Sequence, residues 1–272
     1  MGYEEIIYTV ENNIAIITLN RPEAMNALTF KTYAELTQAI VEADRDSNIR
    51  VIVITGAGKG FCSGDDVKAI FGSGEGAGEE AELKGREAML RYLQGELLAG
   101  GSRVPLLTIN KPSIAAVNGA AVGWGCDLAL LCDMRVASDR ARFGEVFLRI
   151  GLVPNQAMLL LPRLVGLAKA YELILTTDII DAKEAERIGL VNMVVPHEEL
   201  MSVTMELAAK IASKPPIAVK LAKECIRMGL NMPLEEFLRW RTLAATFCLE
   251  TEDHQEGSRA FVEKREPVFK GK

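Results

Sequence analysis

Asn118-Gly119-Ala120-Ala121-Val122-Gly123-Trp124-Gly125-Cys126-Asp127 is the stretch that decides how this chain reads. An apolar strand over Ile114 to Val117 feeds a glycine-rich turn, and the turn opens a helix over Cys126 to Cys132. Asp127 falls in the first turn of that helix. A helix start presents unpaired N–H groups and the positive end of a dipole. Such a place can hold a developing oxyanion, with an acid/base group one step away. The stretch points to an enzyme that works on a carbonyl compound.

Upstream, Ile6 to Val10 and Ile14 to Leu19 are β-rich runs joined by Glu11-Asn12-Asn13, a hairpin signal. Asn20-Arg21-Pro22-Glu23 ends the second run. Thr29 is a cap for a helix reaching about Asp44. Val51 to Thr55 reads as a short buried strand, followed by Gly56 to Gly60 and the turn Phe61-Cys62-Ser63-Gly64-Asp65-Asp66. Gly72 to Gly78 is glycine-rich and acidic, hence a flexible loop, and a helix is expected over Glu82 to Leu98.

Downstream, a strand is expected over Met134 to Ala137. After Pro154 the pattern turns helical. Helices are expected over Ala168 to Thr176, Ala182 to Ile188, Leu200 to Ser213, Ile217 to Met228, Leu234 to Leu249 and one ending near Lys264. Apolar spacing along Leu200 to Ile211 marks a face that packs on the core or on another subunit. Strands alternating with helices place the chain in the α/β class, with repeated ββα or βαβ units and an all-helical tail.

The bulk numbers narrow the function. A chain of 272 residues, 49% of them hydrophobic, can bury a sizeable core. A net charge of −6 argues against a general nucleic-acid surface, which wants a basic stripe, but leaves room for a local basic patch holding one anionic ligand. The five cysteines (Cys62, Cys126, Cys132, Cys225 and Cys248) show no zinc spacing, and His197 and His254 lie far from them, so no metal is expected. No N-terminal signal precedes the first strand, and no apolar run approaches ~20 residues. These features predict a cytoplasmic protein without a membrane partner.

Two glycine-rich segments fail as phosphate loops. Gly56-Ala57-Gly58-Lys59-Gly60 lacks the spacer between glycines and the hydroxyl after lysine, and reads as a surface turn. Gly74-Glu75-Gly76-Ala77-Gly78 follows no strand, and Glu75 would repel a pyrophosphate. No Ser-His-Asp arrangement can be built with either histidine. Two turns remain. Ser63 follows a strand and precedes Gly64, and Trp124 sits between glycines at a helix start. Their two N–H groups can converge as an oxyanion hole.

These residues resemble the crotonase superfamily of enoyl-CoA hydratases and isomerases, nearly end to end. The resemblance rests on Asn20-Arg21-Pro22 with Asn26-Ala27-Leu28, on Phe61 to Asp66, on Asn118 to Asp127 and on Cys132-Asp133. It extends through Ala182 to Leu190 with Val191, and the tail Glu256-Gly257 to Phe261-Val262-Glu263-Lys264-Arg265. It implies a ββα spiral core over 1–200 that binds acyl-CoA, and a helical trimerisation region over 201–272. It implies an acyl-CoA thioester as substrate, no separate cofactor because coenzyme A belongs to the substrate, and a homotrimer or dimer of trimers. The thioester oxygen would be held by the N–H groups of Ser63 and Trp124. Cys62, Ser63, Gly64, Asp65 and Asp66 would line the adenine and pantetheine side, with Gly123 and Phe147 in the acyl site. Phe261 and Lys264 would reach the coenzyme A of a neighbouring subunit, Lys264 as a phosphate partner.

The chain departs from the family at three positions. Relatives usually carry glycine where Trp124 stands, so the indole reshapes the acyl pocket. Hydratases carry two glutamates around a water; the first corresponds to Asp127 and the second to Phe147, which can neither give nor take a proton. The subgroup resembling ring-1,2-epoxyphenylacetyl-CoA isomerase has an aspartate after Gly-Leu-Val-Pro, where this chain has Asn155. Asn155 can hydrogen-bond a water or a substrate group. Glu145 lies two residues before Phe147, and in an extended segment both side chains would share a face, making Glu145 a candidate second acid.

Three functional readings follow. One is hydration or isomerisation of an enoyl-CoA through a thioester enolate, with Asp127 as acid/base. The next is a one-carboxylate isomerase or hydrolase on a cyclic or bulky acyl-CoA. The last is a CoA-ester-binding protein with little catalysis.

Overall fold

A computed structural model describes residues 2–67 and 105–272. The loop expected at Gly72 to Gly78 and the helix expected over Glu82 to Leu98 lie outside them. The described chain opens with β1 (Ile6–Glu11) and β2 (Ile14–Leu19), paired antiparallel. Asn12 and Asn13 form the turn, at φ 48° and 65°. Asparagine tolerates this left-handed region, which a two-residue hairpin turn requires at both positions. Helix α1 (Phe30–Arg45) follows. Thr29 Oγ1 accepts the N–H of Thr32 while Thr32 Oγ1 accepts the N–H of Thr29, a reciprocal cap worth about 0.5–2 kcal/mol.

The main sheet continues with β3 (Val51–Gly56), β4 (Ser113–Val117), β6 (Met134–Ser138) and β9 (Met193–Val195), all parallel, in the order β1-β2-β3-β4-β6-β9. A three-stranded sheet holds β5 (Ala120–Val122), β7 (Arg142–Gly144) and β8 (Ile180–Asp181) in the order β5-β7-β8. Alternation along the strands divides the core. Ile52, Ile54, Ala115 and Val117 face α1 and α2 (Trp124–Leu131). Val51, Val53, Ile114 and Ala116 face α6 (Leu200–Ala212), through Leu200 and Ala208. The apolar face expected on that helix therefore packs on its own sheet.

Between these lie α3 (Ala157–Val165), α4 (Leu167–Thr176) and α5 (Ala182–Arg187). Helix α3 is not among the helices expected from the sequence, and it carries Pro162 in its interior. The tail comprises α7 (Pro216–Gly229), α8 (Leu234–Leu249) and α9 (Glu252–Glu263). No residue of α7 is buried, and Leu234, Leu243, Phe247 and Phe261 are exposed on its neighbours. Among the described residues, no helix is long and apolar enough to cross a membrane.

Candidate active site

Three asparagine and arginine side chains hold the site's loops. Asn118 Oδ1 accepts the N–H of Gly56, and its Nδ2 donates to the carbonyls of Gly58 and Gly60. Asn26 Nδ2 donates to Ala57 and Gly60. Arg21 donates to the Ala27 carbonyl and pairs with Asp66 at 3.2 Å. The Asn20-Arg21-Pro22 and Asn26-Ala27-Leu28 motifs thus brace the Phe61 to Asp66 turn.

That turn runs beside two neighbours. Cys62 bridges Ala121 of β5, and Asp65 bridges Leu28. The ladder settles which amides face which way. The Ser63 N–H donates to the Met25 carbonyl at 3.0 Å, so Ser63 does not present the donor expected of it. Leu28 donates to Gly64, and Asp66 donates to Leu28. Asp65, between them, turns its own N–H to the edge away from Leu28. Gly64 packs there: a Cβ on it would stand 3.3 Å from the Trp124 nitrogen.

Gly123 sets the second donor. It adopts φ 55°, ψ −127°, a conformation essentially reserved to glycine, and its N–H donates to Gly144 at 2.8 Å. The chain then turns into α2 with Trp124 as its first residue, two earlier than expected. The Trp124 N–H has no acceptor among the described residues. Its indole is buried edge-on against Tyr33, with ring centroids 5.4 Å apart and planes at 77°. Tyr33 in turn donates to Asp65 at 2.6 Å. The departure from glycine is therefore absorbed by α1. Phe147 packs on the other side of Gly123, 4.0 Å from where a Cβ would be.

Asp127 is fully buried in the first turn of α2. Its carboxylate reaches across to the start of another helix, accepting the N–H of Ala157 at 2.6 Å and, more weakly, that of Asn155 at 3.4 Å. Ala157 is the first residue of α3, so Asp127 caps that helix from outside. Burial raises its pKa to about 6, against the opposing pull of these hydrogen bonds. Asn155 itself is exposed and contributes through its backbone as well as its side chain. Gln156 Oε1, not singled out from the sequence, is a buried acceptor without a donor among the described residues.

Glu145 does not share a face with Phe147. The backbone turns at Val146 (φ −94°, ψ 8°) into a 3-10 turn over Phe147–Ile150, so the extended premise fails. Val146 and Phe147 approach Gly123, whereas Glu145 points inward and is buried. Among the described residues neither of its carboxyl oxygens meets an N–H or O–H donor, the Cys126 thiol being its one polar neighbour besides the Asp127 charge. It borders a tight cavity with Cys126, Phe143, Leu161, Leu173 and Ile180. Burial, with the Asp127 charge nearby, pushes its pKa well above the usual carboxylate range. Phe261 and Lys264 lie exposed at the end of α9, Lys264 in the left-handed cap at φ 54°.

The site thus sets an unpartnered helix-start amide beside a buried acid on an α/β scaffold. The model for enoyl-CoA hydratase/isomerase covers residues 9–272. The chain belongs to the enoyl-CoA hydratase/isomerase family. It is 39% identical over 267 residues to a short-chain-enoyl-CoA hydratase of Clostridium acetobutylicum, covering 97% of each chain. It is 40% identical to an (E)-benzylidenesuccinyl-CoA hydratase of Thauera aromatica, covering 96% of this chain and 97% of that one. Its fold superposes on an enoyl-CoA hydratase from Bacillus anthracis with a TM-score of 0.86 at 35% identity, covering 99% of this chain and 100% of that one. The crotonase resemblance and the α/β fold expected from it are thereby established, and with them an acyl-CoA enzyme.

Proposed function

We propose that this member moves a double bond, or adds water to one, in an enoyl-CoA by way of a thioester enolate, with one carboxylate making both proton transfers. The carrying observation is the Trp124 N–H, without an acceptor, three residues before the buried Asp127 on the same helix. Trp124 N–H and the helix dipole stabilise the enolate oxygen, a type of contact worth about 2.7–4 kcal/mol per donor.

In the isomerisation, Asp127 takes the proton from Cα, the C–H electrons flow into the thioester as a dienolate, and Asp127 returns the proton at Cγ. The double bond passes from Cβ–Cγ to Cα–Cβ. No water enters, which suits a site with Phe147 in the place of a second glutamate. Hydration is the second reading, favoured by the hydratase names of the Clostridium and Thauera relatives. Glu145, sealed behind α2, holds its proton and serves the pair electrostatically. Coenzyme A enters as part of the substrate, with Cys62 to Asp66 along it. Other copies cover the apolar faces of α7, α8 and α9, in a trimer whose Phe261 and Lys264 reach a neighbour's ligand.

The test is a panel of short, branched, aromatic and alicyclic enoyl-CoAs followed by mass spectrometry, run on wild type and Asp127→Ala. Turnover of at least one member, lost in the variant while CoA-ester binding survives, is expected. Full activity in Asp127→Ala would remove the assignment, and tight binding without any product would favour a binding protein.

A further inference from the structure

One cavity far from Asp127 gathers charge of a single sign. It lies at the N-terminal ends of β3 and β4, which begin at Val51 and Ser113, whereas Trp124 and Asp127 follow the C-terminal end of β4. Strands of five or six residues set these ends roughly 15–20 Å apart. The cavity measures about 290 Å³ and is lined by Arg50, Lys111, Lys214, Lys220 and Lys270, against one carboxylate, Asp44.

The existing bonds leave most of that charge uncompensated. Asp44 Oδ1 already accepts the N–H groups of Asn110 and Lys111, at 2.9 and 3.1 Å. Lys111 Nζ caps the end of α1 through the Ala43 and Asp46 carbonyls. Arg50 donates Nη2 to the Phe269 carbonyl at 3.2 Å, but its Nη1 is buried with no acceptor among the described residues. Lys214, Lys220 and Lys270 form no ion pair among the described residues. A chain of net charge −6 has acids to spare, yet Asp44 is the one carboxylate lining this cavity among the described residues, although Lys270 also borders Glu252, Asp253 and Glu256 on its other side. Convergent like charges repel, and a buried guanidinium donor without an acceptor carries an unrecovered desolvation cost. A bound anion relieves the repulsion among the lysines and adds a compensating charge beside the guanidinium.

Ile49, Ile211 and Ile217 supply apolar walls, so the space suits more than a bare ion. Its volume stands at the lower end of small-molecule sites. We propose that this cavity is a second binding site, separate from the acyl-CoA site, for a small organic phosphate. The phosphate dianion sits among Arg50, Lys214, Lys220 and Lys270, and the organic body rests on the isoleucines. A dianion matches four converging cations better than a monoanion does, and the Arg50 fork is suited to phosphate oxygens.

The experiment is calorimetric titration of the full chain with phenyl phosphate, and with benzoate as a monoanion of the same ring, at low salt and under saturating coenzyme A. The variants are Arg50→Gln and the exposed pair Lys214→Glu/Lys220→Glu. Saturable phenyl phosphate binding is expected, stronger than that of benzoate and undisturbed by coenzyme A. The double variant should weaken it by about tenfold or more while leaving acyl-CoA turnover unchanged. Absence of saturable binding, displacement by coenzyme A, equal affinity in the double variant, or benzoate binding as tightly would each overturn the proposal. Should Arg50→Gln fail to fold, the surface pair still decides.

Discussion

Asp127 and Glu145 are two carboxyls sealed from water on either side of one helix start, and they live in opposite surroundings. Asp127 is answered by the first N–H of α3, that of Ala157, and by the N–H of Asn155 just before the helix. Glu145 has no backbone N–H to answer it among the described residues: its buried carboxyl has apolar side chains and the weakly donating Cys126 thiol for neighbours. The difference teaches that burial alone does not decide the charge of an acid. A helix terminus aimed at the buried carboxylate brings its pKa back to about 6, whereas the unaided neighbour keeps its proton. One acid can therefore cycle between both states near neutral pH, and the other cannot.

The largest way to disturb this comparison is to remove what fixes the shared turn. Trp124→Ala loses the buried edge contact with Tyr33 but keeps the amide. A stability loss of about 3–5 kcal/mol is expected in denaturant titration, with residual turnover that the amide still supports. Complete loss of turnover in a variant shown to remain folded would place the indole, not the amide, in the chemistry.

Next is Glu145→Gln. Native Glu145 has a raised pKa, so the unfolded chain releases this proton at a lower pH than the folded one. The group therefore weakens the fold progressively as pH rises above its unfolded value of about 4.3. The neutral variant should melt higher than wild type at about pH 8, with the gap shrinking toward about pH 4. An unchanged gap across that range would mean that Glu145 ionises in the folded protein.

The smallest effect is the acid limb of the rate profile. Asp127 must be ionised to accept a proton, and its pKa is raised to about 6. kcat/KM should fall as pH drops through that value, and an acid limb near pH 4 would show that the α3 cap outweighs burial. The same shift lowers stability between the unfolded value of about 3.9 and 6, since the native state holds the proton longer there.

How much of this was legible in the sequence follows from which signals are local. The Asn12-Asn13 turn, the Thr29 cap and the strand-turn-helix around Gly123 are written in consecutive residues and were read. The pairing of Asp127 with the backbone at Asn155 and Ala157 is not legible, because these lie 28 and 30 residues away, although Asn155 itself is singled out from the resemblance. Ser63 was chosen as a donor from its place before Gly64, but pairing with Met25 depends on how the turn lies against residues 25–28, a register that no single-segment pattern carries. Glu145 was placed beside Phe147 by two-residue periodicity, which a bend at Val146 cancels. The cation cavity joins four segments distant in sequence, so only its possibility, a local basic patch on an acidic chain, could be foreseen.

The most direct measurement is exchange of the α-protons of a saturated acyl-CoA into deuterated water, which detects the enolate without requiring knowledge of the full reaction. Wild type should incorporate deuterium, and Asp127→Asn, which keeps an acceptor for the Ala157 N–H, should fold and bind the ester but exchange about 10²–10⁴-fold more slowly. Exchange by Asp127→Asn at the wild-type rate would contradict the assignment of Asp127 as the single working carboxylate.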